Sequence, residues 1–157
     1  NLQKALLDAD KMRLSEGANL KRDFEKRLQT LANFVACIEQ ESKGTVAEYK
    51  EQLLNRLKAL NLELNLDDER VLKEVSIFAD KADICEEITR LKSHIDQFKN
   101  CINSAENCGR KLDFICQEMG REINTIGSKA NKLAISKLVI DFKNELERVR
   151  EQVQNVE

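Results

Sequence analysis

Apolar residues recur along this chain at steps of three and four. Leu20, Phe24, Leu28, Leu31, Val35 and Ile38 follow one another at intervals of four, four, three, four and three, which sets them on one face of an α-helix. Leu2, Leu6, Ala9 and Met12 extend that helix upstream, with Gly17 a weak point in it. Ser42 to Thr45 reads as a turn, after which Val46, Tyr49, Leu53, Leu57, Leu60 and Leu64 line a second helix. Asn65 and Asp67 punctuate next. Asp67 is the expected N-cap, and Asp68 and Glu69 suit the positive end of the helix that follows. That third helix carries Leu72, Val75, Ala79 and Ala82 into Ile84, Ile88, Leu91, Ile95 and Phe98, with a phase shift and a bend at Asp80 to Asp83. Ala105 to Gly109 is a second clear break. A fourth helix buries Leu112, Ile115, Cys116, Met119, Ile123 and Ile126 and ends between Gly127 and Asn131. The last shows Leu138, Phe142, Leu146, Val149, Val153 and Val156 at near-heptad spacing.

Every stripe needs a partner, and short connections favour antiparallel neighbours. The expected fold is therefore all-α: elongated antiparallel hairpins, or a bundle, of about five helices. Five stripes exceed what one small bundle buries, so self-association is expected as well. Residues 1–65 read as a long helical hairpin and 66–157 as a helical region with unusual polar motifs, the two forming one continuous domain. Composition agrees. The 157 residues include no proline and five glycines; 4% are aromatic and 34% charged, which suits exposed helices with narrow apolar stripes better than a thick core. The chain opens on Asn1 directly in helical pattern, so an N-terminal part of a longer protein is expected to precede it.

Five cysteines, Cys37, Cys85, Cys101, Cys108 and Cys116, form no CxxC pair and are odd in number. That usage fits reduced thiols and argues against zinc. No apolar stretch approaches the roughly 18 residues of a membrane span, and no secretory signal is visible. A cytoplasmic protein with no membrane partner is the expectation.

The formal charge of −2 neither proposes nor excludes a nucleic-acid partner, but its distribution is uneven. From Glu63 to Lys92 nine acids face five bases, and from Arg110 to Lys137 six bases face three acids. Two segments stand out. In the first, Asp83, Glu87, Arg90 and His94 fall at i, i+4, i+7 and i+11, on one face beside the apolar stripe. Carboxylates and an imidazole suit a divalent metal or a general acid–base pair. Spacing alone favours the plainer alternative, a ladder of intrahelical ion pairs from Glu86 and Glu87 to Arg90. In the second, Asp113, Gln117 and Arg121 align, and Glu118 and Glu122 form a neighbouring line that continues through Thr125 and Lys129. A Glu pair one turn apart can hold a divalent cation through oxygen. Asn124, Thr125, Ser128 and Lys129 crowd donors near a helix end, where a phosphate can be held. A polar face packed on a second subunit explains the same pattern equally well.

The stretches ADKADICEEITRLKSHIDQF from Ala79 to Phe98 and GRKLDFICQEMGREINTIGSK from Gly109 to Lys129, with the ending VREQVQNVE from Val149 to Glu157, resemble the YicC/YloC family of bacterial proteins. The resemblance is strongest from residue 70 onward. It implies an endoribonuclease that requires a divalent cation and acts as a homo-oligomer, reportedly hexameric, with this chain as its C-terminal helical region. On that reading Glu118 and Glu122 are expected to hold Mg²⁺ or Mn²⁺, with help from Glu87. His94 moves a proton to or from the nucleophile or leaving group, its unperturbed pKa lying near 6.5. Arg121, Arg90 and Lys129 neutralise the phosphate, and Glu87, His94 and Arg121 form the expected catalytic set. Arg110, Lys111, Asn124, Ser128 and Lys129 join Arg90 in binding RNA. The alternative is a non-catalytic helical oligomerisation or RNA-binding adaptor module whose Asp113–Arg121 and Glu87–Arg90 pairs lie between subunits.

Overall fold

The computed structural model describes residues 2–60, 68–104 and 106–156. These form six helices: α1 (Leu2–Ser42), α2 (Thr45–Ala59), α3 (Glu69–Ala82), α4 (Cys85–Asn103), α5 (Gly109–Lys129) and α6 (Leu133–Gln154). Among the described residues there is no strand. Helix α1 runs unbroken through Gly17. Between α1 and α2 the chain turns at Gly44, whose φ of 81° lies where only glycine sits without strain. The far end of the second stripe, Leu64, and the expected cap Asp67 lie outside the described residues. The cap of α3 is Asp68, one residue later than expected, whose carboxylate accepts the Arg70 backbone N–H at 2.9 Å.

The bend expected at Asp80 to Asp83 is a complete break. Asp83 is extended (φ −69°, ψ 118°), and its carboxylate accepts the Cys85 N–H at 3.0 Å, covering one of the open donors at the start of α4. The reason is a difference of partner. The stripe of α3 faces α2, where Tyr49 and Phe78 stack with ring centroids 3.8 Å apart, while the stripe of α4 faces the main core. One straight helix cannot serve both.

Helices α1, α4, α5 and α6 close into a four-helix bundle in which α4 lies between α1 and α5, and α6 between α5 and α1. Cross-helix contacts fix the directions. Phe24 meets Phe98 edge-on at 5.4 Å, Arg27 pairs with Glu145, Glu87 with Lys129, and Asp113 with Arg150, so every neighbour is antiparallel. The expected hairpin of residues 1–65 is therefore not the packing unit: the second half of α1 joins the bundle, and α2 packs on α3 instead. Phe24, Leu28, Leu31, Val35 and Ile38 interleave with Ile88, Leu91, Ile95, Phe98, Met119, Ile123, Ile126, Phe142 and Val149 in a single buried cluster. Each such side chain contributes about 1.5–3 kcal/mol by leaving water. Residues 2–19 of α1 extend past this core, exposed throughout, with Leu2, Leu6, Leu7, Met12 and Leu14 open to solvent.

Candidate functional site

Three acidic side chains are buried among the described residues, Glu87, Glu122 and Glu145. Glu145 on α6 is matched from two sides, by Arg27 at 2.9 Å and Arg148 at 3.2 Å, and works as a cross-brace between α6 and α1. The other two lie in the seam between α4 and α5 and are less fully matched. Glu87, 5% exposed, takes one bond of 2.6 Å from Lys129 through Oε1, and its Oε2 has no partner among the described residues. Glu122, 8% exposed, stands 3.6 Å from the Arg90 guanidinium, beyond hydrogen-bond length. Arg90 also pairs with Glu86 one turn back, the plainer of the two readings of that segment, whereas the Glu87–Arg90 pair does not form within the chain. Half-buried His94 has a buried Nδ1 with no partner among the described residues.

The local fold explains the seam. In the antiparallel pair, the start of α4 lies against the end of α5, which brings Glu87 to Lys129 across 42 residues of sequence. Lys129 also donates to the Asp83 carbonyl at 2.9 Å, so one ammonium ties the α3–α4 break to α5. The Cys85 backbone N–H, then its side chain, holds the Asp83 carboxyl below the usual carboxylate range.

The residues singled out from the sequence divide into three places. Glu87, Arg90, Glu122 and Lys129 come together in the seam. Arg121 and Asn124 turn the other way, into a groove of about 460 Å³ between α5 and α6, whose lining includes Gln117, Lys143, Glu147 and Arg150. There Lys143 and Arg150 place two bases of α6 beside Arg121, against the single acid Glu147. Neither was singled out from the sequence. Their spacing with Glu147 at i, i+4 and i+7 is the signal that marks one face, but only the α5–α6 pairing shows what that face meets. Arg110 and Lys111 sit at the opposite end of α5 from Lys129, roughly 28 Å away along the axis at 1.5 Å per residue. They cannot share one reacting centre with it. Ser128 is exposed and donates to the Thr125 carbonyl.

The metal expected at Glu118 and Glu122 meets a specific geometry. Among the described residues no group of three or more His, Cys, Asp or Glu is arranged to hold an ion. Glu118 is bound by Arg121 at 2.8 Å, and Glu122 faces Arg90. A dedicated protein cage is therefore not what these side chains build. Two carboxylates fit only the looser mode in which Mg²⁺ keeps most of its waters and takes its remaining ligands from a substrate phosphate. Of the ion pairs assigned to a subunit interface in the alternative reading, Asp113 stands 3.6 Å from Arg150 within the chain, also beyond hydrogen-bond length, and Arg121 is bound by Glu118. No helix among the described residues is long and apolar enough to cross a membrane.

The fold is thus an all-α bundle with two incompletely hydrogen-bonded buried carboxylates on one side of α5 and, on the other, a groove whose lining includes Arg121, Lys143 and Arg150. The family described as "Endoribonuclease YicC-like, C-terminal" matches residues 38–157. The chain belongs to that family. It is 45% identical over 157 residues to the "Probable endoribonuclease YicC" of Clostridioides difficile (strain 630), covering 99% of this chain and 54% of that protein. It is 34% identical over 152 residues to the protein of the same description from Haemophilus influenzae (strain ATCC 51907 / DSM 11121 / KW20 / Rd), covering 97% of this chain and 52% of that one. The chain thus spans about half the length of the curated relatives it matches.

Proposed function

We propose that the chain is the helical part of an endoribonuclease and that the α4–α5 seam handles the RNA phosphodiester. The observation that carries this reading is the pair of buried carboxylates with unused acceptor capacity, Glu87 and Glu122, packed beside Arg90 and Lys129. Burying a carboxylate that keeps unused acceptor capacity is costly, and such groups cluster at functional sites. In this scheme Arg90 neutralises the phosphate, and His94 moves a proton at the 2′-hydroxyl or the leaving oxygen. The basic groove of Arg121, Lys143 and Arg150 holds flanking backbone. A divalent ion, held by Glu118 and Glu122 and completed by phosphate oxygens, would supply charge neutralisation at the phosphoryl group.

The test is cleavage of a labelled RNA hairpin by the full-length protein and by this chain, with Mn²⁺ or with EDTA. Cutting that EDTA stops and that Glu122→Ala and His94→Ala each reduce at least 100-fold, on the order of a lost general acid–base or electrostatic group, is the expected result. Full activity in both variants removes Glu122 and His94 from the chemistry.

A second reading has its own support. Leu2, Leu6, Leu7, Met12 and Leu14 on the projecting part of α1, with Phe114, Leu133 and Ile140, leave apolar surface uncovered by the described chain. That surface favours a homo-oligomerising RNA adaptor. Light scattering of Arg121→Glu separates the two: dissociation places Arg121 in an interface, whereas an intact assembly with lost RNA binding places it on the RNA.

A further inference from the structure

Helices α2 and α3 add little to the core: α2 buries no residue and α3 buries only Val71. Yet in a chain with few aromatic residues this pair carries Phe78 and the single tyrosine, Tyr49. Their rings lie within 6° of parallel with centroids 3.8 Å apart, and the Tyr49 hydroxyl reaches Glu74 on α3 at 3.4 Å. Ring quadrupoles favour offset or edge-on meetings, as between Phe24 and Phe98 at 67° in the core. The parallel pair outside the core is half-buried and lines an open groove of about 490 Å³. That is room for a small flat ligand.

The rest of the lining suits a base better than a bare phosphate. Lys132, from the α5–α6 connection, is held by Glu41 at 3.1 Å and faces Glu48 at 3.5 Å, so its charge is already matched. The Gln52 and Asn131 amides line the same groove and carry both donors and acceptors, as the edge of a base does. Arg56 adds a guanidinium for a phosphate. The groove also adjoins the α4–α5 seam. Lys132 lies three residues beyond Lys129, at most about 11 Å of chain. Lys129 in turn binds the Asp83 carbonyl at the end of α3, the helix that carries Phe78.

We propose that this groove holds one unpaired nucleobase of the RNA, stacked on the Tyr49–Phe78 pair, in a nucleotide that flanks the phosphodiester at the seam. The proposal rests on the reading of the chain as part of an endoribonuclease and adds where along the RNA it grips. Every base has a π-face, so stacking here tolerates sequence, while the Gln52 and Asn131 amides contact the base edge. Only an unpaired base can enter, because in a duplex both of its faces are already stacked. The site therefore selects a single-stranded flank over a helix.

The test measures binding of a labelled RNA hairpin with single-stranded flanks to the full-length protein in EDTA, each flank nucleotide being made abasic in turn. Tyr49→Leu should weaken binding of the intact RNA about tenfold, the effect of losing one base–aromatic stack. One abasic position should cost the parent protein as much, and the variant should lose nothing further on that RNA. Tyr49→Trp, which keeps a stacking face, should bind as the parent does. Asn131→Ala leaves the ring pair untouched and should weaken binding about threefold at the same nucleotide. Unchanged affinity in a folded Tyr49→Leu protein, or an equal loss on every abasic RNA, overturns the proposal. An equal loss accompanied by dissociation in light scattering assigns this face to a subunit contact and overturns it as well. Cleavage separates this site from the seam. Normal cutting by Glu122→Ala and His94→Ala, with the abasic-dependent loss intact, rejects the seam and keeps the stacking site. Cutting lost in those two, with normal RNA affinity in Tyr49→Leu, does the reverse.

Discussion

Lys129→Met isolates the Glu87 carboxylate, and the structure sets how much this should cost. Glu87 is almost wholly buried, its Oε2 is without a partner among the described residues, and there Lys129 supplies its one strong bond, at 2.6 Å. Removing one member of a fully buried pair costs about 3–5 kcal/mol, most of it the penalty of stranding the other charge. Here the Lys129 side chain is 32% exposed, so water reaches the vacated side and the expected loss drops to about 2–3 kcal/mol. Glu87→Gln removes the charge but keeps a polar group for Lys129, so it should cost less, about 1 kcal/mol. The double variant should then be more stable than the sum of the two losses predicts, because no buried charge remains. Urea unfolding followed by far-ultraviolet circular dichroism measures all three, with equal m-values required before the midpoints are compared. A Lys129→Met loss under about 0.5 kcal/mol, or strict additivity in the double variant, refutes the account of Glu87 as a buried, single-partner charge.

Phe98→Ala opens the centre of the bundle where Phe24 meets Phe98, and should lower stability by about 3–5 kcal/mol in the same assay. Gly120→Ala adds a methyl at an ordinary 3.9 Å from Leu146 and should stabilise by about 0.5–1 kcal/mol through helix propensity; Gly109→Ala meets the Val156 carbonyl at 3.1 Å and should not share that gain. Lowered folded-state pKa values at Asp68 and Asp83 mean that the unfolded chain binds those protons first. Their stabilisation is present above the ordinary carboxylate value near 4 and is lost as pH falls through the folded values. Acid titration of Asp83→Asn should show a shallower loss of stability across that window than the unsubstituted chain. RNA binding by the full-length protein should weaken linearly in the logarithm of salt, and Lys143→Ala with Arg150→Ala should reduce that slope by about 1–2 if the α5–α6 groove holds backbone phosphates.

Local order was legible in the sequence because helix periodicity and end signals act over a few residues. The stripes of α1, α5 and α6 needed no partner to be read, and the turn at Ser42–Thr45 and the break before Gly109 followed from the same local rules. The seam residues Glu87, Arg90, Glu122 and Lys129 were legible as suspects, on polar pattern and on resemblance to a known family. Their pairing was not. Spacing on one helix placed Glu87 near Arg90, whereas burial gave Glu87 to Lys129 and left Arg90 to Glu86 and Glu122. Intrahelical spacing offers candidates, and only the register between α4 and α5 chooses among them.

The same limit explains the other differences. A phase shift at Asp80 to Asp83 signals a change of face, but whether the helix bends or breaks depends on what each half packs against. Here α2 and the bundle core lie in different directions, so it breaks. Arg121 shares a helix with Glu122 yet opens on a different groove, because neighbouring positions on a helix point about 100° apart. Lys143 and Arg150 become its companions only when α6 folds back along α5. The sequence by itself thus determined which residues form helices and which faces are apolar, since those are set by periodicity along one chain. Which charges pair and which carboxylates lose their water were decided by the tertiary structure, because each depends on the distance between residues far apart in sequence.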